Sequence, residues 1–92
     1  MTPAAKTQFL DALIYIWEGN PSASNKFAAR AFRVLDRLRI FPDSGRRIPE
    51  YPDKSHREVI VRPYRFFYRT TGSTVWVVNV WHEAQLPGRP DT

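Results

Sequence analysis

The chain has 92 residues, 42% of them hydrophobic, so it can bury one modest core and is expected to fold as a single domain over positions 1–92. Fourteen Lys and Arg against nine Asp and Glu give a net charge of +5, which favours acidic or polyanionic partners. The absence of cysteine excludes disulfides and thiolate metal sites, and His56 and His82 alone argue against structural zinc. No metal and no cofactor are therefore expected.

The N-terminus predicts neither export nor membrane insertion. Met1 to Lys6 lacks a basic region followed by an apolar core, and no apolar run approaches the roughly 20 residues that span a bilayer. We therefore expect a cytoplasmic protein without a membrane partner.

The first half of the chain predicts a helical hairpin, with helices at about 3–18 and 22–40. Thr2 is a suitable N-cap before Pro3, and Gly19-Asn20-Pro21 ends the first helix, with Asn20 or Ser22 as the cap of the second. Apolar residues recur at helical spacing in both segments: Phe9, Leu10, Leu13, Ile14, Ile16 and Trp17 in the first, and Phe27, Ala31, Val34, Leu35, Leu38 and Phe41 in the second. Both stripes are expected to be buried against each other or against a sheet.

A cationic ridge is predicted on the opposite face of the second helix. It consists of Lys26, Arg30, Arg33 and Arg37, which follow i, i+4, i+7, i+11 spacing. The ridge is a candidate docking surface for an acidic partner or for nucleic acid. The alternative is an ordinary solvated helix face, partly neutralised by Asp36.

The second half of the chain predicts a small antiparallel sheet. Residues 42–56 are a proline-rich connection, 57–62, 64–70 and 74–82 are predicted strands, and 83–92 is expected to be a loosely ordered tail. In the middle strand, alternation places Tyr64, Phe66 and Tyr68 on one face and Arg65, Phe67 and Arg69 on the other, and either face can meet the helices. Four arginines between positions 57 and 69 indicate a cationic sheet surface.

Several of these segments together resemble a known family. The helix pair, Phe-Pro-Asp-Ser-Gly-Arg-Arg at 41–47, Arg-Glu-Val-Ile-Val at 57–61, Tyr-Arg-Phe-Phe-Tyr-Arg at 64–69 and Val-Trp-Val-Val-Asn-Val-Trp-His at 75–82 are similar to the RelE/ParE superfamily of type II toxin-antitoxin toxins. The resemblance implies an α+β fold with an N-terminal helical hairpin on a small, mainly antiparallel twisted sheet. It also implies a bacterial growth inhibitor linked to plasmid stabilisation and bound by a cognate antitoxin.

One departure from the family pattern concerns the start of the chain. Family members begin with a β-strand before the Thr-Pro-x-Ala helix start, whereas here Met1 directly precedes Thr2-Pro3. The expectation is a sheet that lacks its first edge strand. An exposed edge of this kind favours pairing with another chain, so a homo-oligomer is a possible state.

The resemblance implies one of two activities. Members resembling RelE cleave messenger RNA, frequently on the ribosome, whereas members resembling ParE inhibit DNA gyrase and are not thought to be hydrolases. Metal-independent RNA cleavage needs proton donors and acceptors together with cations around the reacting phosphate. The enzyme status therefore depends on which branch the chain follows.

Four residues are candidates for a ribonuclease site. Arg65 matches the family arginine that contacts the scissile phosphate, Arg57 matches a basic residue of the preceding strand, and His82 is similar to a histidine that serves as acid or base, with Tyr68 on the middle strand. His56, Glu58 and Glu83 are second-choice partners of His82 in proton transfer.

Each candidate also has a structural alternative. These are an ion pair to Glu58 for Arg65, a core aromatic ring for Tyr68, and a strand-end histidine for His82. Val59 and Val61 leave the strand after Arg57 poor in cations, which slightly favours gyrase inhibition over ribosome-dependent endoribonuclease action. A degenerate, non-toxic antitoxin-binding module is the third hypothesis.

Overall fold

The computed structural model describes residues 1–91. Two helices are followed by four strands: α1 Pro3–Gly19, α2 Pro21–Leu38, β1 Arg46–Arg47, β2 Arg57–Val61, β3 Tyr64–Thr71 and β4 Thr74–His82. Every neighbouring pair of strands is antiparallel, and the order is β1-β2-β3-β4. The predicted α+β architecture is confirmed. None of the described helices is long and apolar enough to cross a membrane.

The helices begin where their caps predict. The Thr2 hydroxyl accepts a hydrogen bond from the Ala5 N–H at 3.3 Å, and the Asn20 side chain accepts from the Ala23 N–H at 3.1 Å. Asn20 thus ends α1 and caps α2. The second helix ends at Leu38, two residues earlier than predicted, so Phe41 does not join the buried stripe and is 59% exposed.

The two faces of β3 are buried in different ways. Tyr64, Phe66 and Tyr68 pack with the helices in the main core. On the other face, Phe67 packs with Ile48 and Val78 in a smaller cluster. The structure therefore decides the question that alternation left open, and it shows that a loop segment covers the face opposite the helices.

The sequence predicts no strand in the connection 42–56, but the structure has one there. Arg46 and Arg47 form β1 by pairing with Glu58 and Arg57. Ile48, which follows β1, is fully buried against the sheet. Burial of this side chain draws the connection across the sheet and aligns its backbone with β2.

The tail also differs from the expected loose order. The Tyr51 hydroxyl donates to the Pro87 carbonyl at 2.7 Å, and the Asp91 N–H donates to the Asn79 side chain at 2.7 Å. Pro87 and Pro90 are buried. The tail therefore packs over the same face of the sheet as the connection; position 92 lies outside the described residues.

The outer edge of β4 is bonded by nearby groups although no strand lies beside it within residues 1–91. The Val77 carbonyl accepts from the Thr2 N–H at 2.9 Å, and the Val80 N–H donates to the Gln8 side-chain oxygen at 2.8 Å. The His82 N–H donates to a side-chain oxygen of Gln85 at 3.0 Å. The edge is therefore less open than the sequence suggested.

Candidate functional site

Arg65 lies on the covered face of the sheet and is engaged by two carboxylates. Its Nε donates to Glu58 at 2.7 Å, and its terminal nitrogens donate to both oxygens of Glu50 at 2.8 and 2.7 Å. The Arg65 side chain is only 7% exposed. The ion pair with Glu58 that the sequence offered as the alternative is present, joined by a second one from the connection.

The charges of this cluster compensate one another. Hydrogen bonds from Arg65 hold the pKa of the Glu50 carboxyl below its usual value, and the two carboxylates raise the pKa of Arg65. Glu58, whose side chain is inaccessible, also accepts from Arg46 at 2.8 Å. The guanidinium of Arg65 is therefore bound by two carboxylates, whereas the resemblance implied that it contacts a phosphate.

Tyr68 is buried, and its hydroxyl both donates and accepts a hydrogen bond. The hydroxyl donates to the Pro42 carbonyl at 2.6 Å and accepts from the Gly45 N–H at 3.1 Å. Burial is the main cause that raises the pKa of Tyr68. A Cβ atom on Gly45 would lie 2.6 Å from this hydroxyl oxygen, so glycine is required for the close approach. The Tyr68 side chain thus holds the segment before β1 against the core.

Arg57 bonds to the same segment from the neighbouring strand. Its Nη1 donates to the Gly45 carbonyl at 2.9 Å, and its Nε lies 3.7 Å from the Asp43 carboxylate. The side chain remains about one third exposed. Arg57 is thus the most accessible of the candidate arginines of the sheet.

His82 lies at the opposite end of the sheet, on the helix face. It pairs with Tyr64, and the two rings meet edge to face with centroids 5.2 Å apart. Tyr64 packs into the helix-side core, whereas the neighbouring Arg65 points to the other face. Arg57 pairs with Tyr68, which lies four residues beyond Tyr64 in β3. This separation places Arg57 about 13 Å along the strand from the pair of Tyr64 and His82. The structure does not bring His82, Arg65 and Arg57 together.

The environment of His82 fixes its tautomer. Nδ1 accepts a hydrogen bond from the Ala84 N–H at 3.0 Å, so Nδ1 carries no proton and Nε2 carries one in the neutral ring. The ring lines a cavity of about 390 Å³ together with Asp11 and Tyr15 of α1. His82 is therefore one of the residues that line this cavity, and its neutral ring donates through Nε2.

The second-choice proton carriers lie elsewhere. His56 is 8% exposed, and burial lowers its pKa. Glu58 is bound to Arg65, and Glu83 pairs with Arg62 at 2.8 Å. Among the described residues, none of the three is bonded to His82.

The predicted cationic ridge is exposed along α2. All four residues are accessible, and Arg30 donates to the Arg62 carbonyl at 3.0 Å. Lys26, Arg33 and Arg37 have no ion pair within residues 1–91. The ridge therefore keeps its positive charge at the surface, as a docking surface for an acidic partner requires.

An exposed apolar surface on the helical hairpin was not predicted. Leu10, Ile14 and Trp17 are 56–57% exposed, although the sequence placed them in the buried stripe of α1, and Phe32 of α2 is 57% exposed. The Phe32 ring packs edge to face on Phe9 at 5.6 Å. We call these four exposed residues the hairpin surface. Clustered large apolar side chains at a surface are typical of protein interaction sites.

The family model described as the ParE toxin of type II toxin-antitoxin system, parDE, matches residues 1–87. A comparison with curated proteins found no match to the chain. Since the family model covers nearly the whole chain and the resemblance to RelE/ParE toxins is confirmed, the protein belongs to the ParE toxin family of type II toxin-antitoxin systems.

Proposed function

We propose that the protein inhibits bacterial growth as a gyrase-directed toxin, through surface binding without a hydrolytic step. The observation that carries this proposal is the state of Arg65, whose guanidinium is buried and bound by Glu50 and Glu58. A ribonuclease needs a cation free to stabilise charge that develops on the phosphate. Releasing Arg65 for that role would leave a buried Glu58 carboxylate with less compensation.

The hydrogen bonds of His82 and Tyr68 support the same proposal. Protonating His82 at Nδ1 would remove the acceptor that the Ala84 N–H now uses, and the Tyr68 hydroxyl is held by Pro42 and Gly45. Neither group is arranged beside Arg65 for proton transfer. The alternative of ribosome-dependent messenger RNA cleavage has less support from this arrangement.

The type II family implies an antitoxin partner. We propose that the antitoxin covers the hairpin surface with apolar residues and meets the cationic ridge with acidic ones. The exposed Phe32 is followed directly by the exposed ridge residue Arg33 in α2, so a segment that wraps around this helix can reach both kinds of surface. Neutralisation then depends on both apolar burial and charge.

Induction in a sensitive bacterium tests the target. We expect DNA synthesis, followed by pulse labelling, to fail before protein synthesis, and the purified protein to inhibit supercoiling by DNA gyrase. Co-expression of the antitoxin is the control and should restore growth. Early loss of translation with messenger RNA cut at defined positions would establish the ribonuclease alternative, and antitoxin binding without any growth effect would establish the non-toxic module.

A further inference from the structure

The segment 86–91 carries a short proline motif. Its sequence, Leu-Pro-Gly-Arg-Pro-Asp, contains two prolines separated by two residues, Pro87 and Pro90, with Arg89 between them. Both prolines are buried although the segment lies outside the helices and strands. Segments of the form Pro-x-x-Pro are the ligands of aromatic-lined grooves in several peptide-binding modules. The segment therefore has the composition of a peptide ligand.

Two aromatic side chains contact this segment. The Tyr51 hydroxyl donates to the Pro87 carbonyl at 2.7 Å, and a Cβ atom on Gly88 would lie 3.6 Å from the ring of Trp81. Both aromatic side chains also pack against the smaller core cluster of the sheet. Because a proline-rich segment has no internal backbone hydrogen bonds, its carbonyls need donors from outside. Tyr51 supplies such a donor next to apolar ring surface.

An ion pair adds a complementary charge. The Arg89 guanidinium donates to the Asp53 carboxylate at 2.6 Å and lies over the Tyr51 ring, 5.3 Å from its centroid. The two charged side chains are 56% and 60% exposed, so their pairing selects a basic residue at this position more than it stabilises the fold. We call Tyr51, Asp53 and Trp81 the tail site.

The segment is held in the tail site by side chains. Within residues 1–91, none of residues 86–90 forms a backbone-to-backbone hydrogen bond, and the Asp91 N–H donates to the side chain of Asn79. The preceding turn is fixed differently, because the Gln85 N–H donates to the His82 carbonyl at 3.0 Å. The segment can therefore leave the tail site without breaking any strand pairing of the sheet.

We propose that the tail site binds Pro-x-x-Pro segments that contain a basic residue, and that residues 86–91 occupy it as an intramolecular ligand which a partner segment of the same composition replaces. The bound segment shows what the ligand must offer: a carbonyl for Tyr51 and a cation for Asp53. The short tether gives the segment an effective concentration on the order of millimolar, so a partner binds tightly only when the segment is released. The inference depends neither on the antitoxin nor on the gyrase target.

Hydrogen exchange of the Asp91 N–H tests the release. Arg89→Glu places two carboxylates together at Asp53, so we expect the Asp91 N–H to exchange at least about fivefold faster, while the amides of β3 keep their rates. Arg39→Glu is the matched control, since Arg39 is also exposed and pairs with Asp36 at 3.2 Å, at the end of α2. An unchanged Asp91 rate in Arg89→Glu would show that the segment is a fixed part of the fold and would overturn the proposal.

A synthetic peptide of residues 85–91, added to the full chain, tests binding. The NMR signal of the Trp81 indole N–H reports occupancy of the tail site. We expect the Kd for the peptide to be at least about fivefold lower in Arg89→Glu than in the wild type, by the same factor as the change in exchange, because both measure one opening equilibrium. A peptide with Pro87→Ala and Pro90→Ala is the control. Equal affinity for the two peptides, or no binding to Arg89→Glu, would contradict the proposal.

Tyr51→Phe tests the contact itself, because it removes only the hydroxyl. Combined with Arg89→Glu, it should raise the Kd for the peptide by about fivefold over Arg89→Glu alone, as expected for one lost hydrogen bond. Thermal unfolding shows whether each variant folds, and Arg89→Ala replaces Arg89→Glu if the latter does not. Peptide affinity that is unchanged by Tyr51→Phe would show that the peptide does not bind at the tail site.

Discussion

Arg65 and Glu58 form an ion pair at 2.7 Å between neighbouring strands, with side chains only 7% and 0% exposed. The second oxygen of Glu58 accepts from Arg46 at 2.8 Å, and Glu50 takes the terminal nitrogens of Arg65. Glu50 belongs to the connection between β1 and β2, so the network fastens that connection to the sheet. An arginine that resembles a phosphate ligand in sequence thus acts as a cross-link in the structure.

We predict that Arg65→Ala destabilises the protein by about 3–5 kcal/mol, because it leaves the buried Glu58 carboxylate without its principal cation. Chemical denaturation measures the change in the free energy of unfolding. A fully stable Arg65→Ala variant that has lost toxicity would instead return Arg65 to a direct functional role.

The matched control for Arg65→Ala is a double variant. Replacing Arg65 by Met and Glu58 by Gln removes both charges and should cost less than Arg65→Ala alone, because the Glu50 carboxylate that then lacks its cation is one third exposed, unlike Glu58. A double variant with the summed loss of its two single variants would show that the pair is not coupled.

The two glycines Gly45 and Gly19 should respond to alanine in opposite directions. A Cβ on Gly45 would lie 2.6 Å from both the Glu58 carbonyl and the Tyr68 hydroxyl, whereas no described residue has an atom within 4 Å of a Cβ on Gly19. We expect Gly45→Ala to lower the thermal midpoint by several degrees. Gly19→Ala should stabilise the protein by about 0.5–1 kcal/mol because it ends a helix without steric conflict. Equal midpoints for the two variants would be inconsistent with the packing around Gly45.

The sequence predicted both helices and the strands β2 to β4 to within two residues at their ends, but it missed β1. These predictions depend on local signals: Thr2 and Asn20 cap helices through their own side chains, and Gly72 has a φ of +59° in the turn before β4. Local hydrogen bonds and backbone preferences act between neighbours in the chain, so the sequence displays them directly.

The burial of Arg65 was not predictable in the same way. Its partner Glu50 is 15 residues away, in a connection whose path depends on the burial of Ile48. The hairpin surface was missed for a related reason. Apolar residues occupy more than one face of α1, and only tertiary packing decides that Phe9 is buried while Leu10 is exposed.

Gln8→Ala should expose the edge of β4. The Gln8 side chain accepts from the Val80 N–H at 2.8 Å, and its removal leaves that donor unpaired at the edge. We expect the wild-type protein to elute as a monomer in gel filtration and Gln8→Ala to associate with rising concentration. Lys6→Ala, also on α1, is the control because Lys6 makes no side-chain bond to β4 among the described residues. Concentration-dependent association of the wild type itself would show that the edge is open despite these bonds.

His56 should make the stability of the fold depend on pH. Burial, with a smaller contribution from Lys54, lowers the pKa of His56 below its ordinary value. In the unfolded chain the imidazole of His56 titrates at about pH 6.5, so the unfolded chain binds the proton first as the pH falls. Neutral His56 therefore makes its full contribution to the free energy of unfolding above that pH. This contribution is lost as the pH falls through the lower pKa of the folded state. Denaturation midpoints at pH 7 and 5 should differ less in His56→Gln than in the wild type, with His82→Gln as the control for loss of an imidazole.

His82→Gln separates a binding toxin from a ribonuclease. A ribonuclease that uses His82 as its acid or base should lose about a hundredfold or more in cleavage rate, while arginine contacts keep RNA or ribosome binding nearly intact. A gyrase inhibitor has no chemical step at this residue. Because the His82 ring, within residues 1–91, accepts one hydrogen bond from Ala84 and packs on Tyr64, we expect His82→Gln to retain growth inhibition within a few fold and to inhibit supercoiling as the wild type does. Wild-type cleavage of messenger RNA at defined positions, abolished in the His82 variant, would reverse this assignment.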